Sequence, residues 1–80
     1  MKRYPSYKGP FSVRAVKIAR VVSATGCLVP DETSLLPIYV SEQWFDHNSP
    51  VDGGYYLVLA NGTTGYMEAE LFENEFTPDH

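Results

Sequence analysis

The sequence predicts an α+β fold, a small antiparallel sheet of about five strands with two short helices on one face or end. Three observations carry that expectation. Runs of β-branched and aromatic residues of strand length recur along the chain. Asn61-Gly62 lies between two such runs, where a tight hairpin turn belongs. Two polar segments, 42–47 and 68–75, read as short helices. Strands and helices mixed in this order give a sheet with helices packed on it rather than a parallel α/β fold.

Residues 1–10 hold two prolines, a glycine and the basic residues Lys2, Arg3 and Lys8, and read as an extended basic arm ahead of a single domain, 11–80. Phe11 to Val22 is rich in valine and isoleucine. Arg14, Lys17 and Arg20 recur there at every third position, which a helix also accommodates, but the β-branched content and the lack of an N-cap favour a strand. Ser23 to Gly26 makes a turn, and Cys27 to Val29 is a short strand ended by Pro30-Asp31-Glu32. Leu35 to Val40 is apolar, but Pro37 confines it to an edge or an irregular position, because proline donates no ladder hydrogen bond.

Ser41 is placed to cap a helix from Glu42 to His47, stopped by Asn48-Ser49-Pro50, and Asp52-Gly53-Gly54 turns the chain. Tyr55 to Ala60 is the strongest strand signal. Asn61-Gly62 is expected to form a type I′ turn with both residues at positive φ, and Thr63 to Met67 returns as the partner strand. Glu68 to Glu75 closes the chain as a helix with Leu71 and Phe72 facing inward and Phe76 just past its end. Alternation puts Tyr55, Leu57 and Leu59 on one sheet face and Tyr56, Val58 and Ala60 on the other. Both faces are apolar enough to need cover, either from two helices or from self-association or a partner at one face.

Eighty residues suffice for one domain and not two. The 14% aromatic content, including six tyrosines, argues against disorder. A single cysteine forms no intramolecular disulfide, which points to a reducing compartment. The basic start leads into no apolar core of a signal peptide, and no run approaches the roughly 18 apolar residues of a membrane span. A cytoplasmic protein without membrane association is expected. The net charge of −4 conceals a segregation: all six Lys and Arg lie between Lys2 and Arg20, and all ten Asp and Glu between Asp31 and Asp79. Such a dipole steers association, or vanishes if the two sets pair with each other.

No catalytic set stands out, and neither an enzyme nor a cofactor is expected. Cys27, His47 and His80 are isolated, without metal-ligand spacing. Cys27 lies in an apolar run, where cysteine behaves as a small buried hydrophobe. Gly53-Gly54 precedes a strand and so suits a tight turn rather than a phosphate loop. Basic residues interleaved with Tyr4 and Tyr7 are ingredients for nucleic-acid contact, but the acidic balance argues against that partner. Two candidate sets remain. Trp44, Tyr56 and Tyr66, with the acidic Glu68, Glu70, Glu73 and Glu75, suit a protein-binding surface of aromatic anchors in a charged rim. Arg14, Lys17 and Arg20 suit an anion or nucleotide site.

The segment Val40-Ser41-Glu42-x-Trp44-x-x-His47-x-x-Pro50-x-x-Gly53-Gly54-Tyr55-Tyr56-Leu57-Val58 resembles small proteins encoded by tailed bacteriophages and prophages. In that family a His-x-x-Pro segment precedes Gly-Gly-Tyr-Tyr, a strand, a turn and a helix containing Phe-Glu. Asn61-Gly62 stands at the turn here and Phe72-Glu73 in the helix, and Ala15-x-Lys17-Ile18 is similar to the family's first strand. The chain departs from the pattern at Thr63 to Glu68, where the family has an aromatic and then a Ser-Pro helix start, and at Phe76, where it has a tyrosine. The resemblance implies a phage source and a bacterial host cytoplasm. Small acidic phage proteins often act by binding, some as inhibitors of host enzymes or host defence, so the expected partner is a host or phage protein. The alternatives are an oligomeric protein that sequesters a small nucleotide signal and a minor virion or assembly component.

Overall fold

A computed structural model describes residues 4–79, so Lys2, Arg3 and His80 lie outside the described residues. The fold is α+β. The described strands are β1 (Ser6–Lys8), β2 (Val13–Val22), β3 (Cys27–Pro30), β4 (Ile38–Tyr39), β5 (Tyr55–Leu59), β6 (Thr64–Met67) and β7 (Thr77–Pro78), and the helices are α1 (Glu42–Asn48) and α2 (Ala69–Glu75). The spacing that a helix would also have accommodated belongs to β2, the long central strand. β2 pairs antiparallel with β5 through Val13–Lys17, with β1 through Val13 and Arg14, and with β3 through its second half. A register shift between Ile18 and Arg20 marks a bulge, which bends the strand and frees β3 to leave with β4. β6 pairs only with β5, and β7 only with β1.

Seven strands exceed the expected five because the two shortest carry little sequence signal. Ser6–Lys8, inside the segment read as an arm, is three residues among prolines and glycine, and β7 is two residues containing Pro78. They hold each other in place, Tyr7 opposite Pro78 and Lys8 opposite Thr77. In the 35–40 run only Ile38 and Tyr39 form a strand. Leu35 is buried from a turn closed by its N–H on the Glu32 carbonyl, 3.0 Å.

The hairpin exists, but its turn is not type I′. Gly62 has φ +87°, whereas Ser49 is the only non-glycine with positive φ among the described residues, so Asn61 stays on the negative side. Leu59 N–H donates to the Thr63 carbonyl and Gly62 N–H to the Leu59 carbonyl. This is a three-residue loop, a type I turn followed by a left-handed glycine. The Asn61 side chain stabilises it by accepting from Thr63 N–H, 2.9 Å, which explains why asparagine suits the site without left-handed backbone.

The helices lie on opposite faces rather than on one. Val13, Ala15, Tyr55 and Leu57 share a core with Phe72 of α2 and with Phe76 beyond it. Leu71 was expected inward and is half exposed at 48%, because the inward stripe of so short a helix runs through Phe72 and Phe76, four positions apart. Phe72 stacks on Tyr55 (4.0 Å) and Phe76 (4.8 Å). On the other face Val16, Ile18, Leu28, Leu35 and Ile38 form a second core, overlaid by Tyr4, Tyr56, Tyr66 and Trp44 of α1. α1 starts as its sequence dictates, with Trp44 N–H donating to the Ser41 hydroxyl at 3.0 Å.

Candidate functional site

The three aromatic candidates gather on the α1 face. Trp44 lies 5.6 Å from the Tyr56 ring, and Tyr4 meets Tyr56 edge-on at 6.3 Å. Tyr56 and Tyr66 are directly opposed on β5 and β6. The Tyr66 hydroxyl accepts from Val51 N–H (3.2 Å) and lies 3.4 Å from the Val51 carbonyl, tying the β-hairpin to the loop after α1. Its ring lies over Gly54, where any side chain would collide with it; this is the close approach that Gly53-Gly54 serves. All three aromatics are half buried, and the Trp44 indole N–H is buried without a hydrogen-bond partner among the described residues.

The acidic candidates divide. Glu68 is the N-cap residue of α2 and makes no side-chain cap bond, and Glu70 is exposed in the first turn, where a carboxylate complements the helix dipole. Glu73 is held. Its Oε2 accepts from the Tyr55 hydroxyl at 2.7 Å and from Lys17 Nζ at 3.1 Å, and Lys17 Nζ also sits 5.3 Å from the Tyr55 ring centroid. These bonds, the Tyr55 hydroxyl first and then Lys17, hold the Glu73 carboxyl below its ordinary range. Burial, followed by the bond to Glu73, pushes the Tyr55 phenol up.

The basic candidates do not converge. Arg14 and Lys17 fall on opposite faces of β2, because their spacing of three is odd and a strand alternates. Arg14 donates through Nη1 to the Tyr4 carbonyl at 3.0 Å, and Lys17 faces α2. Arg20 is exposed beyond the bulge. Cys27 is buried in β3, and His47 is exposed on α1. Among the described residues no group of three His, Cys, Asp or Glu is arranged to hold a metal ion.

Two recesses border these residues. One, of about 480 Å³, lies between α1 and β6 and is lined by Ser41, Gln43, Trp44, His47, Asn48 and Thr64. The other, of about 460 Å³, includes Ser6, Ser12, Arg14, Val58 and Asp79. Sequence reasoning singled out Trp44 and Arg14 but not the backbone of β6, which borders the first recess. That Thr63–Met67 would pair on one side only follows from no residue type. Comparison with protein-family models, curated proteins and solved structures finds no match to this chain. No helix of the described residues is long and apolar enough to cross a membrane.

Proposed function

We propose that this chain is a phage-encoded binding protein that acts stoichiometrically, by occupancy rather than turnover, on a host or phage protein in the bacterial cytoplasm. Inhibition of a host enzyme or of host defence is the form this action takes. The observation that carries the reading is a half-buried aromatic, Trp44, bordering an open recess between α1 and β6. The carboxylates lie apart from that recess: Glu42 and Asp46 line another beside the β2–β3 turn, and Glu70, Glu73 and Glu75 belong to α2 on the opposite sheet face. Only Glu73 of these is paired with a lysine. An aromatic anchor at an open recess suits a protein partner, with exposed carboxylates elsewhere on the surface steering its approach. The phage source rests on the sequence resemblance.

Affinity capture from bacterial lysate followed by native mass spectrometry tests this reading. A partner retained at fixed stoichiometry is expected, and turnover of a substrate at catalytic protein concentrations refutes it. The second reading, an oligomeric protein that sequesters a small anionic ligand, is favoured by the exposed guanidinium of Arg14 at the other recess. The ion pair that already occupies Lys17 counts against it. Replacing Arg14 with Glu removes a retained small ligand in the second case and leaves protein capture intact in the first.

A further inference from the structure

We infer that α1 is a lid: residues 41–49 swing off the second core as one unit while the sheet and α2 stay folded, carrying Trp44 out to solvent and uncovering Tyr56. Two helices of equal length cover this sheet, and they are held in different ways. α2 is fixed by the fully buried Phe72, by Phe76 just beyond it and by the bonds of Glu73 to Tyr55 and Lys17. α1 has no buried residue. Among the described residues its hydrogen bonds stay within the segment. Trp44 and Phe45 N–H donate to Ser41, the Asn48 amide to the Trp44 carbonyl, and Ser49 to the Phe45 and Asp46 carbonyls. No ion pair among the described residues reaches the helix.

What holds α1 down is packing, and that packing is thin. Of its residues Trp44 alone joins the second core, against Tyr56. Open recesses flank the helix on both sides, about 480 Å³ toward β6 and about 440 Å³ toward the β2–β3 turn, where Phe45 forms part of the wall. Three features weaken the closed form further. The Trp44 indole N–H is buried without a partner among the described residues, so its desolvation is uncompensated until opening lets water reach it. Ser49 ends the helix in left-handed backbone, φ +44° and ψ +57°, which a side chain disfavours. Glu42 and Asp46 set like charges one turn apart.

The flanks of the segment define where it turns. Val40 N–H is fixed on the Gly26 carbonyl at 3.0 Å, and Val51 N–H on the Tyr66 hydroxyl at 3.2 Å, next to buried Pro50. A segment pinned at both ends, with few buried contacts between them, is one that opens locally below the free energy of global unfolding. The closed form stays the ground state, so Trp44 still follows global unfolding. The lid does not depend on what the protein binds; under the protein-binding reading it sets when Trp44 is offered as the anchor.

Native-state hydrogen exchange of the full chain, read residue by residue by nuclear magnetic resonance, tests the lid. The amides of Phe45 to Ser49 are expected to share one protection factor, about a hundredfold or more below those of Phe72 and the β2–β5 ladder. They should keep it in low urea, because opening exposes little surface. Protection equal to that of Phe72, or falling from the middle of α1 toward its ends as in fraying, overturns the inference. Trp44→Ala removes the one side chain that holds the lid to the core. The α1 amides of that variant should exchange almost freely. Its Phe72 and ladder amides should lose no more than the protection factor α1 had in the parent, since the open form has then become the ground state. A larger loss, or global unfolding of the variant, makes α1 part of the cooperative core and overturns the lid, leaving the protein-binding reading to its own capture experiment.

Discussion

Phe72→Ala is the substitution that most directly tests how this small chain holds together. Phe72 is 1% exposed and makes three ring contacts, stacked on Tyr55 and Phe76 and edge-on to Tyr7 at 4.9 Å. Truncation of a buried phenylalanine costs about 3–5 kcal/mol through lost transfer energy and the cavity left behind, and three aromatic neighbours place this site toward the upper end. A domain of this size has roughly 4–12 kcal/mol in all, so the variant should sit at the margin of folding.

The assay is urea unfolding followed by two probes. Trp44, the single tryptophan, reports from the opposite face, and far-ultraviolet circular dichroism reports the whole chain. Because β2 and β5 contribute side chains to both cores, the damage should spread. Both probes should move together, with the midpoint lowered by about 3 M or more for an m-value near 1 kcal/mol/M. A loss below about 1 kcal/mol, or a Trp44 transition unmoved while the dichroism shifts, would refute the reasoning that the two cores form one cooperative unit.

Gly62→Val should destabilise by roughly 1 kcal/mol or more, because φ is +87° and a β-branched residue resists that backbone; an unchanged melting temperature contradicts the turn. Glu73→Gln should flatten the acid limb of stability. The folded pKa of Glu73 lies below its ordinary 4.5, so its contribution is fully present above that value and is lost as pH falls through the folded one. The parent and variant melting curves should therefore converge in strong acid and diverge above about pH 5, and parallel curves across this range would refute the contact. Glu68→Lys with Glu70→Lys should slow association with a captured protein partner and weaken its salt dependence, since exposed charges steer over about 10 Å at 0.1 M salt; stopped-flow rates unchanged at low salt contradict steering by these carboxylates.

Much of the fold was legible because it rests on local chemistry. Ser41 announced its helix through the cap, and β-branched residues marked β2 against a competing spacing. What was not legible depended on distant partners. Ser6–Lys8 and Thr77–Pro78 have no strand signal of their own and become strands only by pairing with each other and, for β1, with β2. Leu71 and Phe72 are equally apolar neighbours, and only the position of the sheet decides which one it covers. At the turn, Asn61-Gly62 correctly announced a hairpin, but the same dipeptide serves two loop lengths. The choice lay with Ala60 joining the loop and the Asn61 side chain bonding Thr63.

The same distinction governs the candidate site. Charge in the sequence divides into a basic first quarter and an acidic remainder, which invites two separable surfaces. Folding removes part of that division, because antiparallel pairing of β2 with β5 sets Lys17 opposite Tyr55 and α2 then lowers Glu73 onto both. A charge reversal at Glu73 therefore tests the packing of α2 as much as any partner. The groups that keep their charge available are Glu68 and Glu70 on one side and Arg14 and Arg20 on the other. Arg14, separated from Lys17 by the alternation of the strand, is left to act alone. An anion site on this chain would have a single guanidinium where a phosphate usually finds several donors, whereas the α1 face keeps Trp44, Tyr56 and Tyr66 together with Trp44 at the border of an open recess. It is this imbalance, created by folding and invisible in the order of residues, that favours a protein partner over a small anion.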